Sequence, residues 1–346
     1  MPSIVDIIAS GPLLTWAGSV NWTAGFLATV AIFGVLALAL NLQWGYTGVF
    51  NFGIVAFFMA GAYTSALLTV DPPGEFESFI GGYELPVLVG WAGAAVAGGL
   101  LALLVGLPTL RLRRDFLAIA TIGIAAIMRS VANSTEGFVN RARGINGIPR
   151  AFPDLVEGSD YKWVLLAVTL TVLALTYLVV RAAASSPWGR VLRAIRDNED
   201  TAAAAGKDTV NFRMQSFVLG GMLMGLAGAV WAHRQGTISP DGFDDLLGTF
   251  LVWTMLMVGG SGNHVGAVLG ALVVGFFWFG TPLLQGQLPE AVSSNVFALR
   301  QLAIGFMIVA VLLIRPQGIV PERPRVSRFA PRGPGDASNA PAEAGD

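Results

Sequence analysis

The chain has no cysteine, which excludes disulfides, thiol chemistry and cysteine-held metals. It has only two histidines, His233 and His264, and they stand too far apart to read as a metal motif. Charge is scarce as well. Asp, Glu, Lys and Arg together make up 12% of 346 residues, about half the usual share of a soluble domain. A chain so poor in charge cannot cover a water-facing surface. Its net charge of −1 gives no pull toward nucleic acid. No basic residue precedes Arg111, so the basic leader of a secretory signal peptide is not seen, and the apolar stretches are expected to stay in the mature protein. A phosphate-binding loop is also missing. The Gly206-Lys207 pair is followed by Asp208 and lacks the upstream glycine of GxxxxGK[ST]. Any ATP used must be hydrolysed by another chain.

What is present in quantity is apolar residues, 54% of the chain, and 43 glycines. Small residues let helices approach closely inside a bilayer, and about 20 apolar residues cross it. Spans are expected over residues 24–40, 47–70, 85–107, 115–132, 162–180, 212–232 and 298–314. A further apolar region, 246–280, is interrupted by Gly259-Gly260-Ser261-Gly262-Asn263 and reads as two short crossings or a broken pair. Residues 4–20 add a weak interfacial or partial helix. The fold class is therefore an all-α integral membrane protein with about 8–10 transmembrane helices.

Lys and Arg gather in short cytoplasmic loops. Residues 108–114, 181–211 and the tail from Arg315 hold thirteen of them, and the segments on the opposite side hold four. This places the N-terminus outside and the C-terminus in the cytoplasm of a multi-pass membrane protein. Counting 246–280 as a single crossing would export the arginine-rich tail, so parity favours the broken pair. Residues 1–23 are expected to be a periplasmic or interfacial segment, 24–318 one membrane domain, and 319–346 a disordered cytoplasmic tail rich in Pro, Ala, Gly and Ser.

No carboxylate falls near the middle of an expected span. A charge at that depth costs roughly 3 kcal/mol on insertion scales, so one that remains is usually functional. Proton-relay pumping and a membrane enzyme with acidic metal ligands are both disfavoured. Arg129 and Arg300 lie near outer span ends, where snorkelling to the headgroups accounts for them.

The segment from Ser185 to Gly206 is different in character. Ser186 suits a helix cap, Pro187 the first helical position, and Gly206 the helix end. Val191, Leu192 and Ile195 share one face. Arg193 and Asp197, and Arg196 and Asp200, are spaced four apart on the wet side. The pattern predicts a short amphipathic helix between two spans. It reads either as a helix lying on anionic headgroups or as a docking helix for a soluble partner. Asp197, Glu199, Asp200 and Asp208 weigh against the lipid reading.

Gly189-Arg190-Val191-Leu192-Arg193-Ala194-Ile195-Arg196-Asp197-Asn198-Glu199, then Gly206 and residues 217–229, resemble the permeases of branched-chain amino acid ABC importers, in particular the LivM-type member of the LivH/LivM family. Asn41–Gly48 with Asn51-Phe52-Gly53, the glycines at 259–270, and Arg315-Pro316-Gln317-Gly318 are similar to further stretches of that family. The resemblance runs from about Ala37 to Gly318. It implies a permease paired with a second, LivH-type permease, two cytoplasmic ATPases and a periplasmic substrate-binding protein, carrying an amino acid. This chain would bind no cofactor, and Mg-ATP would be hydrolysed by the partner ATPases. The helix carrying Trp188, Gly189, Arg190, Arg193, Ala194, Ile195, Glu199 and Gly206 would couple ATP hydrolysis to the spans.

Interrupted helices at membrane depth are tolerated beside a cavity or when buried in protein. Asn41, Gly45, Gly48, Asn51 and Gly53, together with Gly259, Gly260 and Gly262, are the candidate lining of a translocation path. Close helix packing through glycine is the competing reading for each of these glycines. Related permeases carry urea or short amides, which stay open as substrates. A stand-alone channel or secondary transporter explains the spans but not the mixed-charge helix after Pro187.

Overall fold

The computed structural model describes residues 12–74, 77–112, 114–153, 160–244, 246–284 and 295–322. Among these, eleven helices are labelled here. They are α1 (Pro12–Leu40), α2 (Ile54–Thr69), α3 (Val87–Thr109), α4 (Arg114–Ser134), α5 (Tyr161–Ser185), α6 (Pro187–Asp197), α7 (Glu199–Ala204), α8 (Thr209–Gln235), α9 (Leu251–Gly259), α10 (His264–Leu284) and α11 (Val296–Ile314). Two short strands, β1 (Ile145–Asn146) and β2 (Thr237–Ile238), pair antiparallel.

Five helical stretches are long and apolar enough to cross a membrane: Thr23–Gly45, Val87–Thr109, Phe116–Ser134, Tyr161–Ser185 and Thr209–Gln235. The region expected as a broken pair is one. Gly248–Gly259 and His264–Gly280 meet at a bend of 120° and count as a sixth span if taken together. Among the described residues the shorter apolar helices Ile54–Thr69 and Ala298–Val311 complete the set, and the expected number of eight to ten is reached only when these are included.

The interior is built on α8, which packs between α2 and α3. Contacts with α2 climb in parallel, from Phe57 beside Phe217, through Gly61 beside Gly225, to Ser65 beside His233. Contacts with α3 run the other way, from Gly106 beside Phe217 through Gly98 beside Gly221 to Trp91 beside His233. Glycine makes this proximity possible. A methyl group on Gly228 would collide with the Phe58 carbonyl of α2, and one on Gly225 with the Ala94 carbonyl of α3. Without a hydrophobic drive between helices in lipid, such van der Waals contact is the main adhesive. α1 lies against α5, α8 and α10, and α9 packs on α10. Outward faces are apolar. Leu104, Ile119, Phe276 and Phe306 are each about two-thirds exposed or more, which suits lipid or another protein and not water.

The helix ends follow local chemistry. Asp208 accepts a hydrogen bond from the Asn211 amide at 3.0 Å to start α8, and Gly236, at φ +71°, ends it. α2 stops at Val70, before Asp71-Pro72-Pro73. Segment 143–147 provides β1, pinned on β2 just after α8. At this end Arg129 of α4 lies 3.5 Å from Asp244 and 3.8 Å from Asp241. Arg300 stacks on Trp278 at 4.3 Å and donates to its carbonyl. Both arginines therefore have protein partners, where snorkelling alone was expected.

Three expectations need correction. The span expected from residue 47 begins as a helix only at Ile54, because Gly48 adopts φ +74° and Asn51 turns its side chain onto the Gly53 amide. The single helix expected from Pro187 to Gly206 is two, α6 and α7. Asn198 leaves helical geometry at φ −154°, and its side chain accepts from the Thr201 amide at 2.9 Å, so it caps α7. The separate partial helix expected before residue 23 is continuous with the span, since one helix begins at Pro12 and its membrane-crossing stretch starts at Thr23. Residues 1–11, and the expected disordered tail beyond Glu322, lie outside the described residues. Ile319 and Val320 of that tail are ordered by backbone hydrogen bonds to Val258 and Gly259.

Candidate functional site

Two helix interruptions and one amphipathic helix meet at the end of the bundle opposite the β1–β2 pair. α6 opens on Ser186, whose hydroxyl accepts from the Gly189 amide at 3.3 Å. Leu192 and Ile195 are buried beneath it. Gly189 lies so close to the carbonyls of Ala183 and Ala184 that a side chain there would strike them, which presses α6 onto the end of α5. Trp188 donates to Gln215 of α8 at 2.7 Å, and Glu199 accepts from Arg213 of α8 at 3.0 Å. Arg193 donates to the Ala184 carbonyl at 3.0 Å and lies 5.9 Å over the Tyr46 ring.

Of the eight coupling residues expected from sequence, Gly189 and Ile195 are thus buried, and Trp188, Arg193 and Glu199 are half-buried and bound inward. Only Arg190, Ala194 and Gly206 are exposed. Pro187, Asp197, Asn198, Asp200, Thr201, Ala203, Ala204, Ala205, Lys207 and Asp208 are also exposed, none of them among those eight.

The residue that joins this helix to the interruptions is Arg196. Its guanidinium donates to the Gly45 carbonyl, lies 2.8 Å from the Glu322 carboxylate and contacts Asp197 at 3.1 Å. Burial acts to lower its pKa, but hydrogen bonding and charge from Glu322 and Asp197 outweigh this and raise it above the ordinary guanidinium value. It stays charged throughout the physiological range.

Gly45 ends a π-helical turn, Asn41–Gly45, that follows α1. Such turns are wider than an α-helix and mark places where a helix yields. Asn41 is fully buried and its Oδ1 accepts from the Gly262 amide at 2.8 Å, so the first interruption is bonded to the second. Gly260 and Gly262 hold φ of +110° and +78°, which makes the sharp turn from α9 to α10 possible without strain. Asn263 then caps α10 by accepting from the Val265 amide at 2.9 Å. Residues 318–322 close over this turn. Asn263 donates to the Pro321 carbonyl at 3.1 Å, and Gly318 packs on Gly260. Glu322 brings the assembly back to Arg196.

A second cluster lies deeper. Gln43, fully buried, donates to the Phe217 carbonyl at 2.9 Å and accepts from Asn51 Nδ2 at 2.8 Å. Asn51 in turn accepts from Gly53 N at 2.8 Å, and its carbonyl accepts from Trp253 Nε1 at 3.0 Å. Thr47 and Ser216 share a hydrogen bond at 2.8 Å. Gly53 rests directly on the Thr121 carbonyl of α4. The expected path residues therefore form two neighbouring groups. Asn41, Gly45, Gly260 and Gly262 lie at the Arg196 junction, with Gly48 touching Arg196 itself and Gly259 packed on Gly266 of α10. Asn51 and Gly53 lie in the deeper cluster. Sequence reasoning missed Gln43, Ser216, Trp253 and Glu322, and it set Arg193 and Arg196 on the wet side, where the structure turns them inward to the Ala184 carbonyl and to Gly45 and Glu322. The amide at Gln43, two residues after Asn41 in an apolar run, was a usable signal, since buried polar groups need partners. Nothing in the tail's composition pointed to Glu322.

This fold defines a multi-pass α-helical membrane protein in which two interrupted helices meet beside an amphipathic surface helix. Residues 22–312 match the family described as the branched-chain amino acid transport system permease component, and the chain belongs to that family. It is similar to the high-affinity branched-chain amino acid transport permease protein LivM of Salmonella typhimurium, at 27% identity over 92% of this chain and 74% of the relative. It is similar at 26% identity to the LivM protein of Escherichia coli, with the same coverage. The LivH permease protein of Escherichia coli is 23% identical over 86% of this chain and 93% of the relative. Among solved structures, none gives a significant match.

Proposed function

We propose that this chain is the LivM-type permease subunit of an ATP-driven importer and forms part of the path for branched-chain amino acids. It has no ATPase site of its own. A LivH-type permease pairs with it in the membrane, two cytoplasmic ATPases hydrolyse Mg-ATP, and a periplasmic binding protein delivers the amino acid. The bundle end that carries α6 and α7 faces the cytoplasm, in keeping with the crowding of Lys and Arg into residues 108–114 and 181–211.

The observation that carries this reading is the Arg196 junction. One face of α6–α7 is exposed and available to a soluble partner, while on its other face the Arg196 guanidinium is bonded to Gly45 of the first interruption and to Glu322 of the segment that closes over the second. Closure of an ATPase dimer displaces a docked helix as a rigid body, and packed interfaces switch between discrete arrangements and do not deform smoothly. Movement of α6 then pulls on Gly45 and Glu322 together. Those two residues sit at the π-turn and beside the α9–α10 bend, the points where the spans can yield. The test is leucine uptake into proteoliposomes holding both permeases and both ATPases, with binding protein outside. Uptake that requires ATP on the α6 side and fails with Arg196→Ala, while the complex still assembles, supports the reading. Equal uptake without nucleotide refutes it.

A further inference from the structure

Between Gly48 and Gly53 the backbone alternates like an edge strand. Val49, Asn51 and Gly53 are buried, while Gly48, Phe50 and Phe52 are partly exposed on the other side. Trp44, at the π-turn, shares the exposed side. The rings gather around Trp253 of α9. Phe52 stacks on it at 4.6 Å with planes 14° apart, Trp44 lies at 4.7 Å and Phe50 at 5.9 Å. Phe250 extends the patch beside Phe52 and is 46% exposed.

The depth of this patch can be read from α8. Asn51 lies 4.0 Å from Met224 Sδ. Met224 is fifteen residues in from Thr209, about 22 Å along a helix about 40 Å long. Gln43, bonded to Asn51, reaches the Phe217 carbonyl about 12 Å along the same helix, so the non-helical segment stands inside the membrane between these two levels. Non-helical backbone at that depth cannot face lipid, because its polar groups have no water to bond. It must face protein or a wet cavity. Its buried side already faces protein, through Gln43, Thr121 and Trp253. The ring-bearing side is partly exposed and is left for the paired permease or a wet cavity to cover.

We propose that Trp44, Phe50 and Phe52, backed by Trp253, form the apolar wall of the translocation path and contact the aliphatic side chain of the amino acid within the membrane. This rests on the importer reading above. An aromatic wall suits such a cargo. It shields the branched side chain from water, while its flat faces offer no fixed hydrogen bond that would hold the substrate and slow release. The polar Gln43–Asn51 pair behind the wall fixes Phe50 and Phe52 through the backbone and is not itself exposed.

Because the chain has no cysteine, single cysteines report accessibility without background. In the full assembly with cysteine-free partners, Phe50→Cys and Phe52→Cys are exposed to a charged methanethiosulfonate reagent, which needs a hydrated thiolate. Phe306→Cys, on an apolar outer face of α11, is the comparison. The expected result is modification of Phe50→Cys and Phe52→Cys at least about tenfold faster than Phe306→Cys, since the thiolate forms only in water. Rates no faster than that of Phe306→Cys overturn the wall, whether lipid or sealed protein covers the site. Labelling needs no ATP, so it stands apart from the importer reading, which unsubstituted protein tests by ATP-driven leucine uptake. For contact with cargo, Phe50→Leu and Phe52→Leu are expected to shift the ratio of leucine to valine maximal uptake about threefold or more, within the range that one methylene commands. An unchanged ratio, with normal assembly, overturns the contact.

Discussion

Breaking the pair between Arg196 and Glu322 should uncouple transport from ATP hydrolysis, by an amount the geometry bounds. The side chains are 25% and 31% exposed and lie 2.8 Å apart, so the pair is neither a surface bridge nor fully desolvated. Exposed pairs contribute about 0.2–1 kcal/mol, and removing one partner of a buried pair costs about 3–5 kcal/mol. A value near 2 kcal/mol is appropriate for Glu322→Gln, which corresponds to roughly thirtyfold in the equilibrium between engaged and slipped junctions. Arg196→Ala also removes the Gly45 carbonyl contact and should cost more. Arg196→Lys should behave almost as poorly, because one ammonium cannot serve a carbonyl and two carboxylates in the planar geometry a guanidinium offers. The assay is leucine moved per ATP hydrolysed in proteoliposomes, taken through a double-mutant cycle. If the residues act as one joint, the double variant is no worse than Arg196→Ala alone. Effects that simply add would refute the claim that Glu322 works through Arg196. The raised Arg196 pKa adds a check of sign. A group raised on folding stabilises at all pH values below its unfolded value and loses that only far above neutrality, so this joint gives a flat response between about pH 6 and 9.

Other perturbations probe different links. Gly228→Ala places a methyl against the Phe58 carbonyl and should lower stability by about 1–3 kcal/mol or abolish assembly, whereas Gly123→Ala, with open space around it, should be neutral or slightly stabilising; thermal melts of the detergent-solubilised complex compare the two. Gln43→Leu leaves the Asn51 amide without this acceptor inside the bundle and should cost about 1–3 kcal/mol in the same melts. Gly206→Pro cannot adopt φ +77° and removes the hydrogen bond from the Gly206 amide to Ala203, so it should leave insertion intact, by membrane fractionation, while abolishing ATP-driven uptake.

The parts of this fold that were legible in the sequence are those set by local chemistry. Long apolar runs gave most spans, Ser186-Pro187 gave the start of α6, and the glycines at 259–262 gave the α9–α10 break. What was hidden depends on contacts between distant residues. The helical periodicity around Asn198 looks continuous, and only the competition between its side chain and the backbone divides α6 from α7. Residues 47–53 are apolar enough for a span, yet the hydrogen bonds of Asn51 to Gln43 and Gly53 hold them extended. Arg196 and Arg193 have the same spacing credentials on one helix. Which of them meets the interruptions is decided by Gly45 and by Glu322, which is 126 positions away in a segment whose composition suggested disorder.

The central claim is that force from a separate nucleotide-driven subunit enters through the exposed side of α6. Ala194 is exposed there and a cysteine at that position has no competitor in the chain. In sealed, right-side-out vesicles carrying the whole assembly, Ala194→Cys should resist an impermeant thiol reagent added outside, and after opening should form a cross-link to an ATPase subunit that stops leucine uptake. Modification from outside in sealed vesicles, or a cross-link that leaves ATP-driven uptake unchanged, would contradict the account.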